Sequence, residues 1–207
     1  MSDFINIINV IDNDLLLWIN SQNSPIMDTV MNNISGKLFW LPLYVFLVVF
    51  IFYKRGLKQG IISLIFISLI ILTVDQFCAS FIRPIIGRLR PSSPDNPISY
   101  LLHFVNDHRG GSFGFPSCHA ANTFALATFV SCLIKDRTFS SLILTWAIIV
   151  SYSRMYLGMH YPTDIVCGAL IGILFAYSYY KLFEYIISLT FSFPSKRYFN
   201  WYKNFYG

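Results

Sequence analysis

Five long runs of apolar residues alternate with short polar segments in this sequence, and they restrict its possible folds more than any other feature. The runs cover about residues 38–53, 61–82, 119–134, 139–156 and 164–189. Most of them approach the roughly 20 residues that a helix needs to cross a membrane. Only 12% of the residues are charged, whereas a soluble domain carries about 25%. The sequence therefore predicts an all-α integral membrane protein with five transmembrane helices in a bundle.

The first 36 residues differ from these runs, because their apolar side chains recur at helical spacing among Asp and Asn residues. The apolar positions are Phe4, Ile7, Ile8, Ile11, Leu15, Trp18 and Ile19. This pattern is typical of amphipathic helices that lie in the membrane interface. The N-terminus is acidic and lacks the basic region of a cleavable signal peptide. We therefore divide the chain into an interfacial segment (1–36), a membrane-embedded domain (37–190) and a basic, aromatic cytoplasmic tail (191–207).

The basic residues orient the predicted bundle, since cytoplasmic loops of membrane proteins are enriched in Lys and Arg. Nine basic residues fall on the side that we assign to the cytoplasm: Lys54, Arg55, Lys58, Lys135, Arg137, Lys181, Lys196, Arg197 and Lys203. The acidic N-terminus then lies outside, and a chain of this size suits a bacterial inner membrane. Five arginines oppose the rule by falling on the outer side: Arg83, Arg88, Arg90, Arg109 and Arg154. Charges in such positions are candidates for a functional site.

Three polar clusters lie at the outer ends of the predicted spans, so a bundle can bring them together. The first cluster, RPIIGRLRP at 83–91, follows the second span. The second, PSCH at 116–119, opens the third span, where unpaired backbone N–H groups offer a natural anion site. The third, SRMYLGMHYPTD at 153–164, joins the fourth span to the fifth. Together the clusters predict one polar site at the outer membrane–water boundary.

The third cluster combines an arginine, a histidine and a carboxylate in fixed register. His160 and Asp164 are four residues apart, so a helix that begins near Asp164 places its carboxylate within reach of the imidazole Nδ1. Nε2 is then free to act as a nucleophile or a base, as in a catalytic triad. Arg154 adds a permanent charge with a fork of donors that suits phosphate oxygens. This arrangement indicates phosphoryl transfer.

The three clusters together resemble the signatures of the type 2 phosphatidic acid phosphatase superfamily, which includes vanadium haloperoxidases and glucose-6-phosphatase. Those signatures are Lys, six residues, Arg-Pro; then Pro-Ser-Gly-His; then Ser-Arg, five residues, His, three residues, Asp. The third matches this chain in full. The first two depart at one position each, with Arg83 in place of Lys and Cys118 in place of Gly. The resemblance covers about residues 37–190.

The resemblance implies a role for each matching residue. His160 is expected to attack phosphorus and form a phosphohistidine, while Asp164 holds the imidazole in the required tautomer. His119 is expected to protonate the leaving oxygen and then to activate water. No metal or other cofactor is implied, because fixed cations stabilise the transferred group. The residues expected to bind the phosphoryl oxygens are Arg83, Arg90, Ser117, Cys118 and Arg154.

The predicted function is metal-independent hydrolysis of a lipid phosphate or pyrophosphate through a phosphohistidine, with the site facing the periplasm or cell exterior. Undecaprenyl pyrophosphate is the first choice of substrate, and the alternatives are phosphatidylglycerol phosphate, phosphatidic acid and lipid A phosphate. The expected partners are this substrate and membrane lipids, without nucleic acid or an obligate protein partner. A non-hydrolytic lipid-phosphate binder or transporter is an alternative class. Binding alone needs only the arginines, so the presence of His160, Asp164 and His119 argues against this alternative.

Two further alternatives start from the same residues. A vanadate-dependent haloperoxidase is disfavoured by the hydrophobic spans. A zinc site formed by His119, His160 and Asp164 is disfavoured because the converging arginines repel a dication. Insensitivity to chelators distinguishes the phosphatase from the zinc site.

Several other polar residues have simpler expected roles. Asp75 is costly in lipid and should face the bundle, where it orients Arg83 or contacts Gln76 or another helix. Arg88 and Arg109 are expected to line the mouth of the site or to pair with lipid headgroups. His103 and His108 are expected to be solvated loop residues. No structural disulfide is predicted among Cys78, Cys118, Cys132 and Cys167.

Overall fold

The structure of the protein, a computed structural model, describes residues 2–107 and 109–191. Within these ranges the chain forms seven α-helices: α1 (Ser2–Asn20), α2 (Pro25–Ser35), α3 (Leu41–Gln76), α4 (Arg83–Ile86), α5 (Cys118–Ile134), α6 (Arg137–Tyr156) and α7 (Pro162–Phe191). A π-helical segment, Phe77–Ile82, joins α3 to α4, and short 3₁₀ turns occupy Leu38–Trp40, Pro97–Leu101 and Val105–Asp107. The predicted all-α class is confirmed. His108 and residues 192–207 of the predicted tail lie outside the described residues.

The N-terminal helices α1 and α2 form a layer across one end of the bundle. The side chain of Ser24 caps α2 by accepting the N–H of Met27 at 3.3 Å. One face of this layer packs on the end of α6, in a cluster of buried residues comprising Ile19, Met31, Tyr156, Leu157 and Met159. The opposite face leaves apolar side chains exposed, among them Trp18 and Ile26. Both faces are therefore apolar, as expected for helices between a protein bundle and lipid.

A break at Gly56 divides α3 into two halves that correspond to the first two predicted spans. Gly56 has φ 72°, a left-handed value that glycine adopts without strain. Four residues later Gly60 lies against the ring of Phe52, and a Cβ at this position would come within 2.5 Å of it. Such contact between residues eight positions apart requires the chain to turn back. The basic segment around Lys54 therefore lies at a turn, as predicted.

Helices α5 and α7 form the centre of the bundle, and glycines on α7 allow the two backbones to approach closely. A Cβ on Gly168 would lie 2.4 Å from the carbonyl oxygen of Ser117, and one on Gly172 would lie 2.1 Å from that of Ala121. Small residues at a helix contact permit this proximity. The contact fixes the beginning of α5 beside the beginning of α7, where the second and third polar clusters lie.

The number of membrane spans agrees only in part with the prediction. Two helical stretches of the described chain are long and apolar enough to cross a membrane, Lys37–Ile86 and Pro162–Thr190. The first contains the break at Gly56 and so includes two of the predicted spans. Cys118–Ile134 is apolar but shorter, and α6 carries several Ser and Thr residues that lower its hydropathy. The total of five therefore stays a prediction.

Candidate active site

The structure brings all three polar clusters together at the end of the bundle covered by α1 and α2. The guanidinium of Arg90, from the first cluster, lies 3.0 Å from Nε2 of His160 in the third. Arg83 donates to the carbonyl of Pro116 at 3.3 Å and to Sγ of Cys118 at 2.9 Å, which connects the first cluster to the second. Residues from each cluster line one cavity of about 530 Å³.

His160 lies just before α7, and its ring is almost fully buried. Nδ1 is 3.4 Å from Oδ2 of Asp164, which also accepts the backbone N–H of Tyr161 at 3.0 Å. Because a guanidinium only donates, the contact with Arg90 makes Nε2 an acceptor and leaves the proton on Nδ1, facing the carboxylate. The contact with Arg90 therefore favours the tautomer inferred from the sequence, while Nδ1 itself makes no hydrogen bond within the described residues.

Electrostatics keep the His160 ring neutral. Burial lowers its pKa well below the ordinary value of 6.5, and the positive charges of Arg90, Arg154 and Arg83 act in the same direction. An unprotonated Nε2 has the lone pair that attack on phosphorus requires. The cations that act with burial to lower this pKa are also available to bind an anion.

Three buried or half-buried arginines surround the ring without a carboxylate partner. Arg90 is held by the carbonyls of Phe113, at 3.0 Å, and Met159, at 3.4 Å. Arg154 donates to the hydroxyl of Ser35 on α2. Across residues 2–107 and 109–191, neither of these arginines nor Arg83 lies within 4.0 Å of a carboxylate oxygen. Cations gathered without a counter-charge form a site for an anion.

The beginning of α5 contributes the second histidine and a set of backbone donors. Ser117 is fully buried and caps the helix, since its hydroxyl accepts the N–H of Ala120 at 3.4 Å. Its own N–H donates to the carbonyl of Asp164 at 3.0 Å, which ties α5 to α7. His119 follows in the first turn and lines the same cavity as His160. Both imidazoles thus line one cavity together with Arg83 and Arg90, whereas Arg154 is not among its lining residues.

The cavity continues from this polar end into the apolar interior of the bundle. Its deeper walls come from both halves of α3 and from α5 and α6, and include Tyr44, Leu47, Val48, Ile51, Leu64, Ile67, Ile71, Leu126, Trp146 and Val150. Lys37 lies at its polar end and belongs to the lining. A polar head region above an apolar channel suits a lipid with an anionic headgroup.

Asp75 faces this cavity, as predicted for an acid in a span, and its partner is a residue on another helix. The amide of Asn122 donates to Oδ1 of Asp75 at 3.1 Å. Gln76, one of the expected partners, instead accepts the hydroxyl of Ser80 at 2.9 Å. Arg83, the other, is not within ion-pair distance of Asp75 in the described part of the chain. Asp75 therefore forms a polar position in the otherwise apolar wall.

Arg88 has a different place from the one that the sequence suggested. It neither lines the mouth nor reaches toward headgroups, because it is enclosed by three oxygen acceptors. Its Nη1 donates to Oδ1 of Asp164 at 2.9 Å and to the hydroxyl of Thr163 at 2.7 Å, and its Nη2 donates to Asp12 at 2.6 Å. Sequence reasoning placed Asp12 in an interfacial helix and missed this contact. The only signal was that Arg88 opposes the positive-inside rule.

The other sequence predictions for loop residues have mixed outcomes. Arg109 stacks on the ring of Phe104, with 4.3 Å between the guanidinium carbon and the ring centroid. His103 is bound rather than simply solvated, because its Nε2 lies 2.8 Å from the carboxylate of Asp28. The four cysteines are free, and Cys118 accepts a hydrogen bond from Arg83. Within the described ranges, no three His, Cys, Asp or Glu residues lie close enough to hold a metal ion.

Comparisons with known proteins identify a matching family and several relatives of this chain. The sequence profile of the PAP2 superfamily matches residues 63–188, more than half of the chain. The lipid A 4'-phosphatase of Bacteroides thetaiotaomicron is 47% identical over 168 residues, which cover 81% of this chain and 75% of that protein. The lipid A 4'-phosphatase of Porphyromonas gingivalis is 32% identical over 175 residues, covering 84% and 74% respectively.

A solved structure shares the fold. A transmembrane PAP2-type phosphatidylglycerolphosphate phosphatase from Bacillus subtilis superposes with a TM-score of 0.65. The superposition covers 87% of this chain and 88% of that one, at 23% sequence identity. The likeness extends through most of the helical bundle.

Proposed function

Since this chain belongs to the PAP2 superfamily and is a membrane lipid phosphate phosphatase, we propose that its substrate is lipid A carrying a 4'-phosphate. The observation that carries the phosphatase function is the convergence of unpaired arginines on the neutral His160, at the polar end of an apolar cavity. The 47% identity to a lipid A 4'-phosphatase supports the choice of lipid. Undecaprenyl pyrophosphate, which the sequence placed first, is not excluded, but the comparisons favour the lipid A alternative.

In the first chemical step we propose that Nε2 of His160 attacks phosphorus as the bond to the lipid oxygen breaks. His119 in its protonated form gives its proton to that oxygen and becomes neutral, so the lipid leaves as an alcohol. Asp164 holds the Nδ1 proton and stabilises the positive charge that develops on the ring. In the second step His119 removes a proton from water, which attacks phosphorus and releases phosphate and His160.

The cations act by stabilising the transferred phosphoryl group. Arg90 lies in front of Nε2 of His160, so its guanidinium must turn toward a phosphoryl oxygen when substrate binds. Arg83 and Arg154 have a buried Nε without a partner among the described residues, and each therefore retains donor capacity for the anion. The backbone N–H group of Cys118, on the first turn of α5, adds to this positive environment.

The orientation in the membrane is also part of the proposal. The site lies at the end of the bundle that contains the arginines opposing the positive-inside rule, and we assign that end to the periplasm or cell exterior. Residues 1–36 then lie on the outer surface, 37–190 form the embedded catalytic domain, and 191–207 are cytoplasmic. The lipid tails extend from the site along the apolar walls of the cavity, between the halves of α3 and α5.

A substrate panel tests the choice of lipid. Purified protein in detergent should release phosphate from lipid A 4'-phosphate with a kcat/KM at least about 10-fold above that for undecaprenyl pyrophosphate or phosphatidylglycerol phosphate. A chelator should leave every rate unchanged, because the arginines replace a metal. Equal or higher kcat/KM for undecaprenyl pyrophosphate would reverse the assignment, and loss of activity with chelator would favour a metal site.

The pH dependence of kcat/KM tests the neutral nucleophile. Because burial and the arginines lower the pKa of His160, its lone pair persists as the pH falls and is lost only below that lowered pKa. Protonation of His160 should produce an acidic limb in the pH profile of kcat/KM. We expect this limb to lie well below pH 6.5. The profile is measured from about pH 4 to about pH 8, with the ionisation of the lipid phosphate titrated separately. A limb at pH 6.5 or above that does not follow substrate ionisation contradicts the assignment.

A further inference from the structure

Asp164 uses its two carboxylate oxygens for different partners. Oδ2 faces Nδ1 of His160, at 3.4 Å, and accepts the N–H of Tyr161. Oδ1 accepts Nη1 of Arg88 at 2.9 Å. Oδ2 is thus directed at the nucleophile His160, and Oδ1 is bound by the guanidinium of Arg88. The position of Arg88 therefore controls the angle at which Asp164 meets His160.

Arg88 is itself fixed by groups from separate parts of the chain. Its Nη2 lies 2.6 Å from Oδ2 of Asp12 on α1, and its guanidinium stacks on Tyr161 at 4.1 Å from the ring centroid. Asp12 is 1% exposed and also accepts the N–H of Thr163 through Oδ1, at 3.0 Å. Asp12 consequently binds both the arginine and the first turn of α7, the turn that carries Asp164.

The charges of Asp12, Arg88 and Asp164 explain why a second carboxylate is useful beside Arg88. An arginine paired with Asp164 alone would neutralise the charge of that carboxylate and weaken its attraction for the imidazole N–H. With Asp12 included, the Asp12–Arg88–Asp164 group carries one net negative charge when all three are ionised. The guanidinium of Arg88 interacts with both carboxylates. Asp164 therefore keeps the anionic character that supports a positive charge on His160 during attack.

From these contacts we propose that Asp12 and Arg88 are a pair of positioning residues for Asp164, which makes helix α1 part of the active site. The proposal rests on the proposed phosphatase mechanism. Neither residue touches the phosphoryl group. They act through Asp164, so their loss should reduce kcat while the binding of the lipid, which the arginines and the cavity provide, is retained.

The test is the replacement Asp12→Asn in the full chain, purified in detergent and assayed with lipid A 4'-phosphate. This change keeps an oxygen that can accept the Thr163 N–H. It removes the charge and replaces the oxygen that accepts Nη2 of Arg88 with an amide NH2 group, so the contact with Arg88 is lost as well. We expect kcat to fall by about 10- to 100-fold with KM within about twofold. Arg88→Lys should retain more activity than Arg88→Gln, because it keeps the charge between the two carboxylates.

A matched control is Asp28→Asn on α2, which removes the same charge from the same N-terminal layer. Asp28 accepts the hydroxyl of Tyr156 at 2.7 Å and a ring N–H of His103, and it does not contact Asp164. Its replacement should leave kcat within about twofold of the wild-type value. Equal losses in the Asp12 and Asp28 variants would mean that the layer is only structural, and would overturn the proposal.

A double-mutant cycle shows whether Asp12 acts through Asp164. If it does, adding Asp12→Asn to Asp164→Asn should cause almost no further loss of kcat, because the residue it positions is already changed. Independent, multiplying losses would contradict the proposal. If Asp12→Asn does not fold, the cycle is run with Arg88→Lys and Arg88→Gln instead. A wild-type protein without phosphatase activity would refute the proposed function, whereas an active one with multiplying losses would refute only this inference.

Discussion

Replacing His160 with alanine is expected to lower phosphate release from any lipid phosphate by about 10⁴-fold or more, because the nucleophile is lost. Substrate binding should be affected much less, since Arg83, Arg90 and Arg154 remain. The initial rate of phosphate release measures the loss. Brief reaction with ³²P-labelled substrate, followed by alkaline denaturation that preserves phosphohistidine, should label the wild-type protein and leave the variant unlabelled.

His103→Ala is the matched control for this substitution. His103 lies at the same end of the bundle but hydrogen-bonds to Asp28 rather than facing the cavity, so its loss should leave the rate near the wild-type value. A His160→Ala protein that keeps more than about a tenth of wild-type activity would exclude the phosphohistidine mechanism. A wild-type protein that binds lipid phosphate and releases none would instead indicate the non-hydrolytic alternative.

Replacing His119 with glutamine should give a loss that depends on the leaving group. For a lipid alcohol, which needs a proton to depart, we expect the first step to slow by about 10²- to 10⁴-fold. For p-nitrophenyl phosphate, whose phenolate leaves without a proton, the first step should be close to normal. The second step remains slow for both substrates, because water has lost its general base.

This difference has a kinetic signature that stopped-flow measurement detects. With p-nitrophenyl phosphate, the His119→Gln protein should show a burst of nitrophenol equal to the amount of enzyme, followed by slow turnover as phosphohistidine accumulates. Added imidazole should accelerate the slow phase by supplying a base. Equal losses with both substrates and no burst would show that His119 has another role, such as binding the phosphoryl group.

The sequence predicted that the three clusters lie close together because each motif fixes residue types at short spacings. His160 and Asp164 lie four positions apart, and any short connection into a helix keeps them close. Arg83 and Arg90 flank a single tight segment that ends beside the loop before α5. In each case the local chain geometry limits where the side chains lie, so the pattern of residues alone was informative.

The long-range contacts that hold the site residues in position could not be predicted in the same way. Asp12 meets Thr163 across 151 positions of sequence, and Ser35 meets Arg154 across 119. These contacts depend on how the N-terminal layer packs on the bundle, which no local pattern encodes. The amphipathic pattern of residues 1–36 predicted helices there, but an acidic residue on such a helix is most simply explained as solvated. The burial of Asp12 against Arg88 results from tertiary packing alone.

The hydrogen bond between Asp12 and Thr163 joins the first described helix to the last, which has a consequence for biosynthesis. The ribosome releases α1 early and α7 late, so this contact cannot form until almost the whole chain has been synthesised and α7 has been inserted. A nascent or truncated chain that lacks α7 also lacks Asp164 and the turn to which Asp12 binds. Under the proposed mechanism, hydrolysis of membrane lipids therefore begins only after α7 has been inserted and has bound Asp12.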